Sequence, residues 1–268
     1  MSQDMTSPPG GLLGDLTLSA AHLRKRAHDA YIRLRWPNAA PKDVPPETLP
    51  DMGSIVEIDG IKMRIDPRMS PFNIRKLAEG RHTVHERALL TQHLRDDDRV
   101  IELGGGIGMV AAHCARRLGP GRVTSFEGNP RMEDLIRENY ALNGVDVDLH
   151  MAVVGPKAGS VTFYLAERFS HSAMTDNTGT AEAVEVPMQP WDDVHGAARP
   201  SVIVVDIQGG EVEFFREARL DGIRMILVEF HPPVTGLAPI LSIRRRLRRE
   251  GFAEATRSGT SHVYLRDL

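Results

Sequence analysis

The sequence predicts an α/β fold with an open, mostly parallel sheet and helices packed against it. The first observation is a buried-strand run at 99–103 that leads through a glycine turn into a helical run at 109–118. The second is the alternation of strand and helix patterns that follows. Strands are expected at 123–127, 146–154, 160–165, 182–186, 202–206 and 225–230, and helices at 81–95, 131–143, 211–218 and 240–250. The third is a closing antiparallel pair at 252–256 and 262–266.

The glycine turn after the first core strand contains Gly104, Gly105, Gly106 and Gly108. Side chains at these positions would keep a ligand away from the backbone. The N-terminus of the following helix offers unpaired N–H groups and a positive dipole end, which favour a carboxylate or a phosphate. Glu127, at the end of the next strand, is placed to accept hydrogen bonds from ribose hydroxyls. Together these features predict an adenosine-containing ligand, the alternative being a tight structural corner.

The glycine spacing narrows the choice of ligand. A dinucleotide fingerprint has a third glycine that lets helix and strand pack closely, and Met109 stands there, which disfavours a nicotinamide oxidoreductase. The pattern resembles instead the E/D-x-G-x-G-x-G first motif of class I S-adenosylmethionine-dependent methyltransferases. That resemblance implies S-adenosylmethionine as cofactor. The expected contacts are Glu102, Gly104, Gly105, Gly106, Gly108, Glu127, Gly128, Asn129, Met151 and Ala152.

Four segments occur in the order and at about the separations seen in FkbM-family methyltransferases. They are Glu102-Leu-Gly-Gly-Gly-Ile-Gly108, Phe126-Glu-Gly-Asn-Pro130, Val205-Asp-Ile-Gln-Gly-Gly-Glu211 and Val228-Glu-Phe-His231. The chain resembles that family from about Gly80 to its C-terminus. The resemblance implies a Rossmann-like class I methyltransferase fold, with a mostly parallel seven-stranded sheet and helices on both faces. It also implies O-methylation of a small molecule, such as a natural product or a sugar.

The chain departs from the family pattern in two segments. Members commonly read D-x-G-A-N-x-G in the first motif, whereas Glu102 and Gly106 stand at the Asp and Asn positions here. The usual K-I-D-V-E-G-A-E becomes Val-Val-Asp-Ile-Gln-Gly-Gly-Glu at 204–211, so a lysine and a glutamate are both replaced by neutral residues. Asp206 and Glu211 remain. The substrate, or the way it is deprotonated, is therefore expected to differ from that of typical members.

Three parts of the chain are distinguished. Residues 1–50 are expected to hold a basic amphipathic helix at 15–35 and a proline-rich strap. That helix is expected to pack on its own domain or on a second copy as a homodimer, a membrane-surface role being the alternative. Residues 51–79 carry a β-hairpin with Asp59-Gly60 as its type I′ turn. Residues 80–268 are the methyltransferase domain.

Composition limits the cellular setting. The 268 residues include 26% charged residues with a net charge of -3, which does not indicate a nucleic-acid binder. The single cysteine, Cys114, cannot form an internal disulfide and is expected to be a core residue in a reducing compartment. No apolar run approaches the roughly 20 residues that span a bilayer. The N-terminus lacks the layout of a signal peptide. A soluble, cytoplasmic protein without a membrane partner is expected.

Polar residues at the carboxyl ends of two strands are the candidate catalytic groups. Ligands of open α/β sheets lie at these ends, and a hydroxyl acceptor needs a base to take its proton. Asp206 and His231 are predicted to orient and deprotonate the acceptor, with Glu229 beside them. A histidine with its free pKa predicts a rate that rises between roughly pH 5 and 8. Glu211 is expected to be structural, because acids in a first helical turn are favoured by the dipole alone.

Substrate contacts are expected from Gln208 and from the turn-rich loop after the strand at 160–165, through His171 and Ser172. Asp206, Glu229 and His231 could instead form a mixed oxygen and nitrogen metal site. A carboxylate that orients an imidazole base is the simpler interpretation, so no metal is predicted.

Two other functional classes stay open. Five arginines at 244–249 and the basic N-terminal helix raise the question of an RNA or other N-methyltransferase. Asp206 is followed by Ile-Gln-Gly rather than by the Pro-Pro-aromatic sequence common in enzymes that methylate bases, so a nucleic-acid partner is not expected. The altered 204–211 segment could also mark a protein that binds the cofactor without turnover.

Overall fold

The computed structural model describes residues 49–166, 172–174 and 181–267. The expected helix at 15–35, nearly all of the proline-rich strap and His171 lie outside the described residues.

A β-hairpin precedes the main sheet. Strands β1 (Ile55–Ile58) and β2 (Ile61–Arg64) pair antiparallel. Asp59 and Gly60 have φ values of 52° and 77°, which confirms the type I′ turn predicted from the Asp-Gly pair. Local turn chemistry thus sets the register of the hairpin.

The hairpin is held to the domain by a helix, Glu133–Asn143, called α4 below. The backbone N–H of Arg64 donates to Asn139 Oδ1 at 2.9 Å, and that of Lys62 donates to Asn143 Oδ1 at 2.8 Å. These amides give the edge of β2 the partners that a neighbouring strand would otherwise provide.

The main sheet has seven strands in the order β11-β12-β10-β9-β3-β4-β5. Their bounds are β3 Val100–Leu103, β4 Val123–Phe126, β5 Asp148–His150, β9 Val202–Val205, β10 Met225–Glu229, β11 Ala253–Ser258 and β12 Ser261–Leu265. Strands β5, β4, β3, β9 and β10 are parallel, and β12 runs antiparallel between β10 and β11. This confirms the predicted mostly parallel seven-stranded sheet. Strands β3 and β9 are buried throughout, as expected for parallel strands covered on both faces.

Helices cover both faces of the sheet. Their bounds are α1 Pro71–Ala78, α2 Val84–His93, α3 Met109–Leu118, α4 Glu133–Asn143, α5 Trp191–Ala198, α6 Glu211–Glu217, α7 Pro232–Thr235 and α8 Leu237–Arg249. In β9, Val202 and Val204 join the core shared with α2, α3 and α4, whereas Ile203 and Val205 join the core shared with α5, α6 and α8. The period-two alternation of a strand therefore supplies both cores.

The prediction of one continuous strand at 146–154 is wrong, because the structure has two short strands there. Strand β5 ends at His150, and after a bend the chain forms β6 (Val153–Gly155) in a separate three-stranded sheet of order β6-β8-β7. Strands β7 (Gly159–Leu165) and β8 (Glu182–Pro190) complete that sheet. Since β6 pairs with β8, more than 25 residues away in the chain, no local pattern reveals the break.

Helix α1 was not predicted, although its start is well marked. Pro71 occupies the first helical position, and the side chain of Ser70 accepts a hydrogen bond from the backbone N–H of Asn73 at 3.3 Å. A Ser-Pro pair of this kind is a helix-start signal. The helical run expected at 131–143 begins with a 3-10 turn, Pro130–Met132, in which Asn129 Oδ1 accepts from the N–H of Arg131 at 3.0 Å, and the α-helix α4 follows from Glu133.

Cys114 lies in α3 and is a buried, free thiol, as predicted for a core residue. Burial raises its thiol pKa, which keeps the sulfur protonated and unreactive. Across the described ranges, the structure contains no helix with the length and apolar character needed to span a bilayer.

Candidate functional site

The glycine turn lies directly against the loop after β9. Gly104 has a φ of +92°, and a Cβ atom there would lie 1.9 Å from the backbone oxygen of Asp206. At Gly105 a Cβ atom would lie 2.7 Å from Ser125 Oγ. Only glycine fits this approach of two chain segments. The predicted cofactor turn and the predicted catalytic segment are therefore in contact.

Glu127 holds the two loops that border the turn. Its side chain accepts hydrogen bonds from the backbone N–H of Gly106 and from that of Asn129, each at 2.7 Å. The residue is only 8% exposed, and burial raises the pKa of its carboxyl although these backbone N–H groups favour the charged form. A carboxylate oxygen can accept more than one hydrogen bond, so a ligand hydroxyl can still bind there. Glu127 is thus fixed in place before any ligand arrives.

Glu102 is also buried beside the turn. It accepts a hydrogen bond from Ser125 Oγ, and Glu102 Oε2 lies 3.5 Å from the position that a Gly105 Cβ would take. Burial raises the pKa of Glu102 to about 7, against the effect of the Ser125 hydrogen bond. Glu102 therefore packs against the glycine turn and stabilises it. A direct contact between Glu102 and the cofactor stays a prediction.

The residues expected around an adenine lie at the bend between β5 and β6. The N–H of Glu127 donates to the backbone oxygen of His150 at 3.0 Å, which brings the end of β5 beside the predicted ribose acid. Ala152 is buried and Met151 half-buried. Gly128 lies against β7, since a Cβ atom there would be 2.6 Å from the ring of Phe163. The predicted adenine contacts and Glu127 are therefore neighbours in space.

The predicted catalytic residues meet at the carboxyl ends of β9 and β10. His231 Nε2 lies 3.4 Å from Asp206 Oδ1, and Gln208 Nε2 donates to the same oxygen at 3.0 Å. Glu229 accepts from Thr260 Oγ1 at 2.8 Å. One ligand atom each from Asp206, Glu229 and His231 lie within 4.8 Å of one another, close enough to hold a metal ion. The parallel strands bring these side chains together as the sequence predicted.

Glu211 belongs to this cluster, although sequence reasoning assigned it a structural role. His231 Nδ1 donates to Glu211 Oε1 at 2.7 Å, so the imidazole lies between two carboxylates. The Glu211 side chain is 1% exposed. The pairing joins α6 to the loop after β10, a tertiary contact that no sequence spacing reveals.

The charges around His231 change its expected titration. Burial disfavours the imidazolium, but the hydrogen bond to Glu211 and the charges of Asp206, Glu211 and Glu229 outweigh it and raise the pKa of His231 to about 9. The expectation of a free histidine pKa is therefore wrong. Burial, followed by the charge of Glu229, raises the pKa of Asp206 well above its ordinary value. Asp206 and His231 thus form a coupled pair that still holds a proton at neutral pH.

A fourth carboxylate stands behind the cluster. Glu86 of α2 is 7% exposed and accepts a hydrogen bond from Ser261 Oγ. Burial and the neighbouring Glu229 raise the pKa of Glu86. Two strand ends and two helices therefore contribute the acidic residues of this cluster, which contains a single histidine.

Of the predicted substrate contacts, two can be placed. Gln208 adopts a left-handed backbone conformation with a φ of 51°, and its side chain holds Asp206. Ser172 is buried, and its Oγ accepts from the backbone N–H of Ala166 at 3.1 Å, which closes the base of the loop. Contact of either residue with a substrate stays a prediction.

A sheet of this strand order, with a glycine turn after the first parallel strand and an acid after the next, defines the class I methyltransferase fold. The particular family follows from the sequence match. Residues 104–253 match the family described as the methyltransferase FkbM domain, which is more than half of the chain. The chain therefore belongs to the FkbM methyltransferase family, as its motifs predicted.

More distant similarities include several methyltransferases. The ribosomal protein L11 methyltransferase of Symbiobacterium thermophilum is 30% identical over 96 residues, 35% of this chain and 29% of that protein. The matched segment thus spans less than a third of that curated relative. P. horikoshii TYW2 in complex with MeSAdo has 16% identity and a TM-score of 0.43, covering 81% of this chain and 70% of the other. The Pyrococcus abyssi tRNA (uracil-54, C5)-methyltransferase has 10% identity and a TM-score of 0.42, covering 80% and 44%.

Proposed function

We propose that the protein is a biosynthetic O-methyltransferase that transfers the methyl group of S-adenosylmethionine to a hydroxyl of a small-molecule acceptor. The main support is the contact between the glycine turn and the loop of Asp206, where a Cβ at Gly104 would overlap the Asp206 backbone oxygen. This contact places a cofactor turn beside a group of acids and a histidine. Membership of a methyltransferase family supports the same reaction class.

The residues present fit S-adenosylmethionine. Glu127 is buried, fixed by two backbone N–H groups and still able to accept from ribose hydroxyls. The glycine turn keeps its backbone open at the N-terminus of α3, where a carboxylate is favoured. Met151 and Ala152 border the same region from the end of β5. When bound, the cofactor supplies a methyl group on a positively charged sulfur, which makes that carbon open to nucleophilic attack.

The protein's part in the reaction is to orient the acceptor and remove its proton. Gln208 and His231 hold Asp206 Oδ1 from two directions, so its carboxylate is fixed at the strand end. The Asp206 and His231 pair takes the proton that the hydroxyl releases as its oxygen forms the new bond to carbon. Because the pKa of His231 is raised to about 9, the proton-free pair becomes more populated as pH rises towards that value.

Two of the five arginines of α8 are engaged in contacts within the domain. Arg246 donates to the backbone oxygens of Phe215 and Ala218 and pairs with Glu250, and Arg244 pairs with Glu254. These two guanidinium groups therefore hold the domain together. A small molecule remains the acceptor that we propose.

The test compares cofactor binding with turnover. Asp206→Asn and His231→Ala should bind S-adenosylmethionine like the wild type in calorimetry, but should lose about 10²–10⁴-fold in labelled methyl transfer to a small-molecule extract of the native host. Asp221→Asn, which changes an exposed residue outside the cluster, is the control. The wild-type rate should rise above the ordinary histidine range, towards pH 9.

Several results would contradict the proposal. Normal turnover by His231→Ala would exclude the base, and label incorporated into total RNA but not into small molecules would exclude the acceptor class. Activity that is lost with a chelator and restored by a divalent ion would make Asp206, Glu229 and His231 metal ligands instead. Cofactor binding without transfer to any acceptor would favour a non-catalytic protein.

A further inference from the structure

We propose that Glu211 is the positioning residue of this site, holding the His231 ring through Nδ1 so that Nε2 faces Asp206 and the acceptor hydroxyl. This inference rests on the proposed function and extends it to a residue outside the predicted catalytic pair. Glu211 contacts His231 and not the reacting atoms, so its effect on the reaction is exerted through the imidazole.

Two hydrogen bonds fix the Glu211 carboxylate. Its Oε1 accepts from His231 Nδ1 at 2.7 Å and from the backbone N–H of Gly209 at 3.1 Å. Gly209 belongs to the turn between β9 and α6, with a φ of +109°, and a Cβ atom there would lie 2.5 Å from Val234 Cγ1. The carboxylate is therefore held by the same turn that carries Asp206.

Glu211 is more deeply buried than an acid needs to be to interact with the dipole at the start of a helix. Its side chain is 1% exposed, and among the described residues its Oε2 is buried without a hydrogen-bond partner. Glu213, in the same first turn of α6, is exposed and has the same favourable interaction with the helix dipole. Burying a carboxylate costs free energy unless a charge or hydrogen bonds compensate it. A positively charged His231 provides that compensation.

The contact determines which nitrogen is available for chemistry. A carboxylate only accepts hydrogen bonds, so Nδ1 must carry a proton in both the charged and the neutral imidazole. In neutral His231 the lone pair is then on Nε2, the atom 3.4 Å from Asp206 Oδ1. A third group that orients a base in this way is a general feature of catalytic triads.

Carboxylates on four elements influence this ring. Glu211 of α6 and Asp206 after β9 contact it directly, Glu229 at the end of β10 adds its charge, and the charge of Glu86 of α2 acts on Asp206. Glu211 is distinguished from the other three by its contact with Nδ1. Its replacement should therefore affect both the orientation of His231 and its proton affinity.

The experiment uses the full chain in four forms: wild type, Glu211→Gln, Glu211→Asp and Glu213→Gln. The Gln variant keeps the size of the side chain and removes its charge, whereas Glu213→Gln removes a charge from the same helical turn without touching His231. Each form is titrated by ¹⁵N NMR of the imidazole, and kcat and KM are measured against pH.

The Gln variant should shift the titration of His231 and the rising limb of kcat to lower pH. On the high-pH plateau, where His231 is proton-free in both forms, kcat should fall about 10–100-fold because the ring loses its orientation, which is less than on loss of the base itself. KM and cofactor affinity should not change. Glu211→Asp keeps the charge and should restore part of the lost kcat, and Glu213→Gln should match the wild type.

The outcomes separate the two proposals. If the wild type shows no turnover but Glu211→Gln still moves the His231 titration, the proposed function fails and the positioning role holds. If the imidazole resonances and titration are the same in Glu211→Gln and Glu213→Gln, the positioning role is wrong. Loss of folding in both Glu211 variants would also overturn it, because the residue would then be shown to be structural.

Discussion

Replacing Glu127 by alanine tests the centre of the predicted cofactor site. Its carboxylate accepts two backbone hydrogen bonds, from Gly106 and Asn129, both at 2.7 Å. Alanine removes the acceptor for both N–H groups and the predicted acceptor for the ribose hydroxyls. Water can reach Gly106, which is half-buried, but Asn129 is only 4% exposed and its N–H would lose its partner. The change should therefore affect binding and local stability together.

The magnitudes follow from the type of hydrogen bond. A bond to a charged group contributes about 1.5–3 kcal/mol, so losing the ribose contact should weaken S-adenosylmethionine binding about 10–150-fold. Glu127→Ala also removes two backbone hydrogen bonds from the folded protein. Because burial raises the pKa of Glu127 and so disfavours its ionised form, these two bonds together should contribute less than two full charged hydrogen bonds, and the free energy of unfolding should fall by about 1–3 kcal/mol. For the same reason, cofactor affinity of the wild type should begin to fall with decreasing pH above the ordinary glutamate range, since a protonated carboxyl accepts more weakly.

Calorimetry with S-adenosylmethionine measures the affinity, and urea unfolding measures the stability. Glu127→Gln retains one acceptor oxygen and should lie between the wild type and Glu127→Ala. Glu133→Ala, which removes an exposed carboxylate paired with Arg137, is the matched control and should change neither quantity by more than about 0.5 kcal/mol. Unchanged cofactor affinity in a folded Glu127→Ala protein would refute the assignment of this site.

Two further changes test the structure that supports the site. Gly104→Ala should destabilise the protein far more than Gly119→Ala in urea unfolding. Both sites have positive φ, so alanine at either incurs about 1–3 kcal/mol of backbone strain. Only at Gly104 does the added Cβ also meet a backbone oxygen, at 1.9 Å, whereas nothing lies within 4 Å at Gly119. Equal losses would contradict the close approach. Arg224→Met should cost about 3–5 kcal/mol, because the Asp98 side chain, 2% exposed, would lose its charged partner. Burial alone would raise the pKa of Asp98, but hydrogen bonds from Arg224, Arg95 and Ser201 outweigh it and lower the pKa below 3.8. The stability of the wild type should therefore fall as the pH drops below 3.8 and Asp98 becomes protonated. The fall should be less steep in Arg224→Met.

Features determined by short stretches of sequence were predicted well. The hairpin turn depends only on Asp59 and Gly60, whose left-handed conformations are intrinsically accessible. The glycine turn after β3 and the acid after β4 follow from composition and spacing. The buried runs of β3 and β9 follow from apolar content. Each is a local property, so a single sequence carries enough information to infer it.

Two features that depend on contacts between distant segments were not predicted. The break between β5 and β6 arises because β6 pairs with β8 instead of continuing the main sheet. The pairing of Glu211 with His231 joins residues on α6 and after β10. The same tertiary contact raises the pKa of His231, so the predicted pH range was wrong as well.

The sequence by itself determined the class of fold, the family and the chain segments that form the site, because hydrophobic periodicity, turn residues and motif spacing act over short distances. Tertiary structure alone decided how those segments interact. It placed the glycine turn against the Asp206 loop, buried Glu211 beside His231 and gathered three carboxylates around that imidazole. These effects depend on distances between side chains and on exclusion of water, and both are properties of the folded chain rather than of its order of residues.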